Sequence, residues 1–175
     1  MPSKLKQFET VALALAKAVP FVGAGVPESA VTQSLHPFDA RNIHPKLPSK
    51  VRKLFDDGHF AEATSHAFKY LDKQVERLSG LSDSGFSLMM DAFDSKRPKI
   101  KLTPLSTQSE KDEQEGYRFV FAGGMRAIRN PRAHEFSVVD DPDTCLDHLS
   151  FVSLLLRRLE QRLQETGTGQ PLRHH

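Results

Sequence analysis

The sequence predicts an all-α protein, a bundle of amphipathic helices. Apolar residues recur at spacings of three and four through most of the chain, the signature of one buried helix face. Prolines and several glycines, Gly58 and Gly80 among them, fall between those runs, where they stop helices. Only one short stretch, Pro98 to Leu105, alternates apolar and polar residues in a way that suits a small β-hairpin or an extended loop.

Leu5, Phe8, Val11, Leu15 and Val19 predict an N-terminal amphipathic helix ending near Pro20. Residues 20–48 hold Pro20, Pro27, Pro37, Pro45 and Pro48 and read as loop or linker, because proline removes a backbone donor and fixes φ. Ser49 is placed to cap a short helix through Leu54 and Phe55, closed by Asp57-Gly58. A long helix follows from His59 to Ser79, with Phe60, Ala63, Ala67, Tyr70, Leu71, Val75 and Leu78 inward and Gly80 as its stop. Phe86, Leu88, Met89, Ala92 and Phe93 mark another short helix. Residues 110–128 carry no proline, and Tyr117, Val120, Phe121, Gly124, Met125 and Ile128 make one apolar face. Pro131 should end or kink that helix near Arg129 and Asn130. The last helix opens at Asp140-Asp141-Pro142-Asp143, where acids complement the helix dipole and proline suits a first turn. Its core face is Leu146, Leu149, Val152, Leu155, Leu156 and Leu159, and the tail after Thr166 should fray. The expected organisation is an N-terminal helix and linker over 1–44, a helical domain over 45–165 and a tail over 166–175.

The bulk numbers bound the function without choosing it. The chain has 175 residues, 38% of them hydrophobic, enough for one domain with a sizeable core. A net charge of +2 does not announce a nucleic-acid binder, although a short RNA site needs only local positive charge. Cys145 is the only cysteine, which excludes an intrachain disulfide and a thiolate metal cluster. No apolar run reaches membrane-spanning length and no signal-peptide pattern is present, so the expectation is a cytoplasmic protein with no membrane partner.

The stretch richest in chemistry is Arg129-Asn130-Pro131-Arg132-Ala133-His134-Glu135. A guanidinium forks its donors onto two phosphate oxygens and stays charged at any working pH. An imidazole takes and gives protons near neutrality. Together they can cleave a phosphodiester without metal or cofactor. On spacing alone the pair reads better as an Arg and a His at the end of a surface helix. On an unbroken helix, five steps leave these positions about 140° apart, so a break at Pro131 is what the functional reading requires. Lys96, Arg97, Lys99 and Lys101 crowd four cations into six residues and offer a second patch that could track an RNA backbone. His36, Asp39 and His44, or His59 and His66, lack recognised metal-ligand spacing and read as exposed histidines. Gly23-Ala24-Gly25-Val26 lacks the Lys-Ser/Thr of a phosphate loop. Gly123-Gly124 inside a helix costs about 1 kcal/mol per glycine relative to alanine, a cost that close helix approach near the motif, including across a dimer, would offset.

The run from Gly124 to Glu135 resembles the signature of the Ymh family of bacterial and phage proteins. So do Val51 to Ala63, Ala67-Phe68-Lys69, Leu78 to Leu81 and Leu154 to Leu159. Through that family the chain resembles the HEPN superfamily, whose defining motif is Arg, four to six residues, then His, usually with a polar residue straight after the Arg. The resemblance implies a HEPN-like helical bundle and an endoribonuclease in which two subunits join their motifs and cut RNA without metal. Arg129 and His134 would be catalytic, with Asn130 and Glu135 supporting. Arg126, Arg132, Lys96 and Arg97 would contact RNA. It also implies toxin or phage-defence roles, with an antitoxin or regulatory partner, while a non-catalytic HEPN module that binds a nucleotide or a protein is the alternative.

Overall fold

The structure is a computed structural model and describes residues 35–134 and 139–167. The helix expected over Leu5 to Val19, the Gly23 to Val26 loop, Glu135 and the tail past Gly167 lie outside the described residues.

The helices are α1 (Pro37–Ala40), α2 (Ser49–Asp56), α3 (Phe60–Ser79), α4 (Gly85–Ala92), α5 (Gln108–Gly124), a π-helical turn (Met125–Arg129), α6 (Asn130–His134) and α7 (Pro142–Gly167). No strand occurs among the described residues. The two long helices, α3 and α7, lie against each other, and α5 packs on α4. Phe68, Leu71 and Val75 of α3 meet Leu149, Val152 and Leu155 of α7 in the core, all fully buried. Each such side chain contributes about 1.5–3 kcal/mol of apolar transfer energy. Phe93 and Phe121 stack at 4.4 Å between centroids and join α5 to the same core. That core also takes in Phe38 and Ile43, upstream of position 45.

Local chemistry fixes the ends. Gly80 closes α3 in the left-handed region at φ 69°, where a Cβ would be strained. Thr107 and Glu110 form a capping box, so α5 starts at Gln108, two residues before the expected start. The Thr-x-x-Glu spacing was the available signal.

Residues 96–105 adopt the extended-loop alternative. Their backbone pairs with a side chain rather than a strand. Gln114, fully buried on α5, accepts from Leu102 N–H at 2.8 Å and donates to Phe93 and Ile100 carbonyls at 3.1 and 2.9 Å. One amide thereby satisfies three backbone groups that a hairpin partner would have taken. Ile100 and Leu102 are drawn into the core as a result.

Candidate active site around the π-turn

The helix does not break at Pro131. Asn130 keeps helical angles (φ −62°, ψ −46°), and its N–H bonds to Met125 O, five residues back rather than four. A proline ring crowds the carbonyl four residues before it and has no N–H to give. The widened turn over Met125–Arg129 absorbs both faults, and the chain continues helical to His134. The expected break is therefore replaced by a π-bulge, a rare feature that concentrates at functional sites. As a consequence, positions 129 and 134 still lie about 140° apart around a helical axis. The proline therefore does not supply the break that the functional reading required.

The residues of the motif divide sharply. Arg129 is half-buried, and its Nη1 donates to Asn130 Oδ1 at 3.1 Å, so the polar residue straight after the arginine aims its guanidinium. Arg126 is exposed and lies over the Phe86 ring of α4, 4.5 Å from its centroid, a cation–π contact that holds its charge at the surface. Arg132, expected on RNA, has its donors engaged inside the fold. Its Nε and Nη2 fork onto the two carboxylate oxygens of Asp140, each at 2.5 Å, and its Nη1 reaches Ile128 O at 3.0 Å. Its side chain is 11% exposed and that of Asp140 is 3% exposed. Removing one partner of a buried pair typically costs about 3–5 kcal/mol, because the other charge is left unpaired.

Lys96 and Arg97 are exposed in the loop after α4, where Asp94 Oδ1 accepts both of their backbone N–H groups. Asp94 itself pairs with Arg118 at 3.2 Å, and Arg118 donates to Met90 O at 2.8 Å. Arg118 stands eleven residues before Arg129, roughly 16 Å along the helix. This basic loop is therefore anchored beside the middle of α5, that distance along the helix from Arg129.

Two residues near the motif escaped sequence reasoning. Asp140 reads locally as a helix-start acid, and nothing in the sequence couples it to Arg132. His148, one side chain along α7, sets its Nδ1 3.8 Å from Asp140 Oδ2, with no hydrogen-bond partner for that buried atom. Burial first, and then the Arg132 charge, lower the His148 pKa below its ordinary value. Cys145 is buried beneath the same corner and accepts from Thr64 Oγ1 at 3.6 Å. Burial pushes its thiol up to about 11, which removes it as a nucleophile near neutrality.

Of the other histidines, His59 is exposed as expected, whereas His36 and His44 are engaged within the fold. His36 is bonded to Asp56 at 2.8 Å and accepts from Phe38 N–H as a helix cap. His44, expected to be exposed, is buried at 4%. Its Nδ1 accepts from Lys46 N–H, so Nε2 carries the proton and donates to Glu160 at 3.2 Å. These two, with Tyr70, Gln74 and Arg77, line a cavity of about 170 Å³. No three His, Cys, Asp or Glu side chains among the described residues converge as a metal site would require. No helix among them is long and apolar enough to cross a membrane.

The outward face of α5 completes the picture. Gly116, Phe119, Val120 and Gly123 are all exposed and fall within an arc of about 100°. Phe119 is 56% exposed and Val120, expected inward, is 40% exposed. The stripe runs onto Arg126 and Ala127 of the π-turn, both exposed. A Cβ on Gly123 would meet nothing within 4 Å. On Gly124 it would come within 2.8 Å of Phe151 and 3.1 Å of Phe68.

Neither a curated protein nor a solved structure matches the chain. Residues 41–159, more than half of the chain, match a family described as protein of unknown function, Hypoth_Ymh. That match spans every helix from α2 to α6 and most of α7, the π-turn and its arginines included. The chain belongs to the Hypoth_Ymh family.

Proposed function

We propose that this protein is a metal-independent endoribonuclease of the HEPN type, acting on single-stranded RNA as a homodimer. The observation that carries this reading is the π-turn. It carries Arg129, aimed by Asn130, just beyond an apolar stripe that is exposed among the described residues. In the reaction, the RNA 2′-hydroxyl attacks the adjacent phosphorus, the bond to the 5′-oxygen of the next nucleotide breaks, and a 2′,3′-cyclic phosphate and a 5′-hydroxyl end result. Arg129 stabilises charge building on the non-bridging oxygens, the electrostatic contribution that usually dominates such chemistry. His134 takes the 2′-hydroxyl proton as base, and His134 of a second copy gives a proton to the leaving oxygen as acid.

Dimerisation supports this reading in two ways. One imidazole per motif must become two, and a two-fold axis does that with one interface. Gly123 also lowers helix stability with no packing return among the described residues, a choice that makes sense where a second backbone approaches. Phe119 and Val120, rather than the buried Met125, supply the apolar contact. Arg126 and Arg129 from both copies then form the cationic groove, with Arg132 outside it. A toxin or phage-defence setting, with an antitoxin or regulatory partner, fits the same activity.

The second reading is a non-catalytic HEPN module that binds a nucleotide or a protein partner. The continuous helix through Pro131 favours it, because a single chain leaves positions 129 and 134 on different sides. One experiment decides between them. Purified protein is incubated with labelled single-stranded RNA in EDTA, beside His134→Ala and Arg129→Lys. The enzyme reading expects cleavage to cyclic-phosphate ends by the wild type, none by His134→Ala, and a large loss for Arg129→Lys, since lysine cannot fork onto two oxygens. DNA should resist, as it lacks the attacking hydroxyl. Cleavage only after Mg²⁺ or Mn²⁺ is restored would overturn the mechanism.

A further inference from the structure

The five residues of α6 are the last turn of the helix that continues from α5 through the π-turn, and Pro131 has no N–H to help hold that end, so fixing it against the rest of the fold takes a contact from outside the helix. The Arg132 guanidinium does that work. One fork reaches forward to Asp140, immediately before α7, and its remaining nitrogen reaches back to Ile128 O in the π-turn. A single side chain therefore ties together the turn carrying Arg129, the helix ending at His134 and the start of α7. The carboxylate at the centre is 3% exposed, and the charged or titratable groups near it are Arg132 from α6 and His148, Asp141, Asp147 and Cys145 from α7 and its approach.

We propose that Asp140 is the positioning residue of this site: by clamping Arg132 it fixes the helix that presents Arg129 and His134, and Arg132 acts within the fold rather than on RNA. A bidentate pair suits this task, because two parallel bonds fix angle as well as distance, which a point charge does not. The role in cleavage rests on the endoribonuclease reading, whereas the clamp itself does not.

Asp140→Asn tests both. Cleavage should lose roughly 100-fold in kcat, while RNA affinity stays within about twofold, since misplacement by an ångström suffices for such a loss. Amide exchange over 126–134 should speed up by about tenfold or more, with α3 and the middle of α7 unchanged. Weakened RNA binding with unchanged kcat would overturn the proposal and return Arg132 to the RNA surface. Unchanged exchange over 126–134 would overturn it equally. Should Asp140→Asn fail to fold, the pair Arg132→Met with Asp140→Leu replaces the ion pair by apolar volume, a change that buried pairs commonly tolerate. That double variant should fold yet keep the low kcat and the fast exchange; wild-type kcat in it would refute positioning. If the wild type cuts no RNA, the endoribonuclease reading fails, and the exchange measurement still decides the clamp.

Discussion

Helix α5 shows two faces built under different rules. Its inward face is fitted atom by atom. Gln114 satisfies three backbone groups, Phe121 stacks on Phe93, and Gly124 leaves room for two phenylalanine rings that any Cβ would strike. Its outward face carries Phe119, Val120 and Gly123, exposed and without packing contacts among the described residues that would account for them. The adjacent glycines thus differ: Gly124 is required by packing already present, whereas a Cβ on Gly123 would meet nothing among the described residues.

Breaking the inward face should cost most. Gln114→Leu strands Leu102 N–H and the Phe93 and Ile100 carbonyls, each lost partner costing about 1–3 kcal/mol when buried. We expect roughly 3–5 kcal/mol in urea unfolding, with the 96–105 loop released first in hydrogen exchange. A loss under about 1 kcal/mol would mean that water reaches those groups.

Charging the outward face should do the reverse. Phe119→Asp is expected to leave unfolding stability within about 0.5 kcal/mol, as surface changes do. Sedimentation should nevertheless show a monomer, and RNA cleavage should fall by roughly 100-fold as the paired geometry is lost. A variant that stays dimeric would move the interface elsewhere.

The two glycines sharpen the comparison further. Gly124→Ala should destabilise by about 1 kcal/mol net, overpacking of 1–3 kcal/mol being partly offset by better helix propensity. Gly123→Ala should raise monomer stability by about 1 kcal/mol through propensity alone, while weakening self-association. Equal responses from the two would erase the distinction between the faces.

The smallest effect concerns acid. His148 is held neutral by burial and by Arg132, so its folded pKa lies below the unfolded value near 6.5. The unfolded chain then binds the extra proton first, and the contribution present above about pH 6.5 is lost as pH falls towards the folded pKa. His66 shifts in the same direction, also from burial first. Melting temperature should therefore drop on going below pH 6.5, and less steeply in His148→Gln. An identical slope in both would assign the effect to other groups.

Much of this fold could be read in advance because helix formation is local. Periodicity predicted α2 to α5 and α7, and Gly80 marks the end of α3 because only glycine is at ease in its left-handed conformation. The candidate arginines were legible as residue types. Their assignments were not. Val120 was placed inward by a periodic count that cannot tell a core face from an interface, since both are apolar. His44 and Arg132 looked like surface cations, and their partners Glu160 and Asp140 became visible only when distant or bulged segments met.

Sequence alone determined the helical class, the helix-stopping glycine and the presence of an Arg-x4-His segment with one imidazole, because these depend on residues within a few positions of each other. Tertiary structure decided that Pro131 sits after a widened turn instead of a break, that Arg132 serves Asp140, and that the loop of Lys96 and Arg97 is anchored beside Arg118 in the middle of α5. The physical reason is common to all three. A proline's clash, a guanidinium's forked donors and a loop's position are each resolved by the lowest-energy partner in space, and spacing along the chain does not specify that partner.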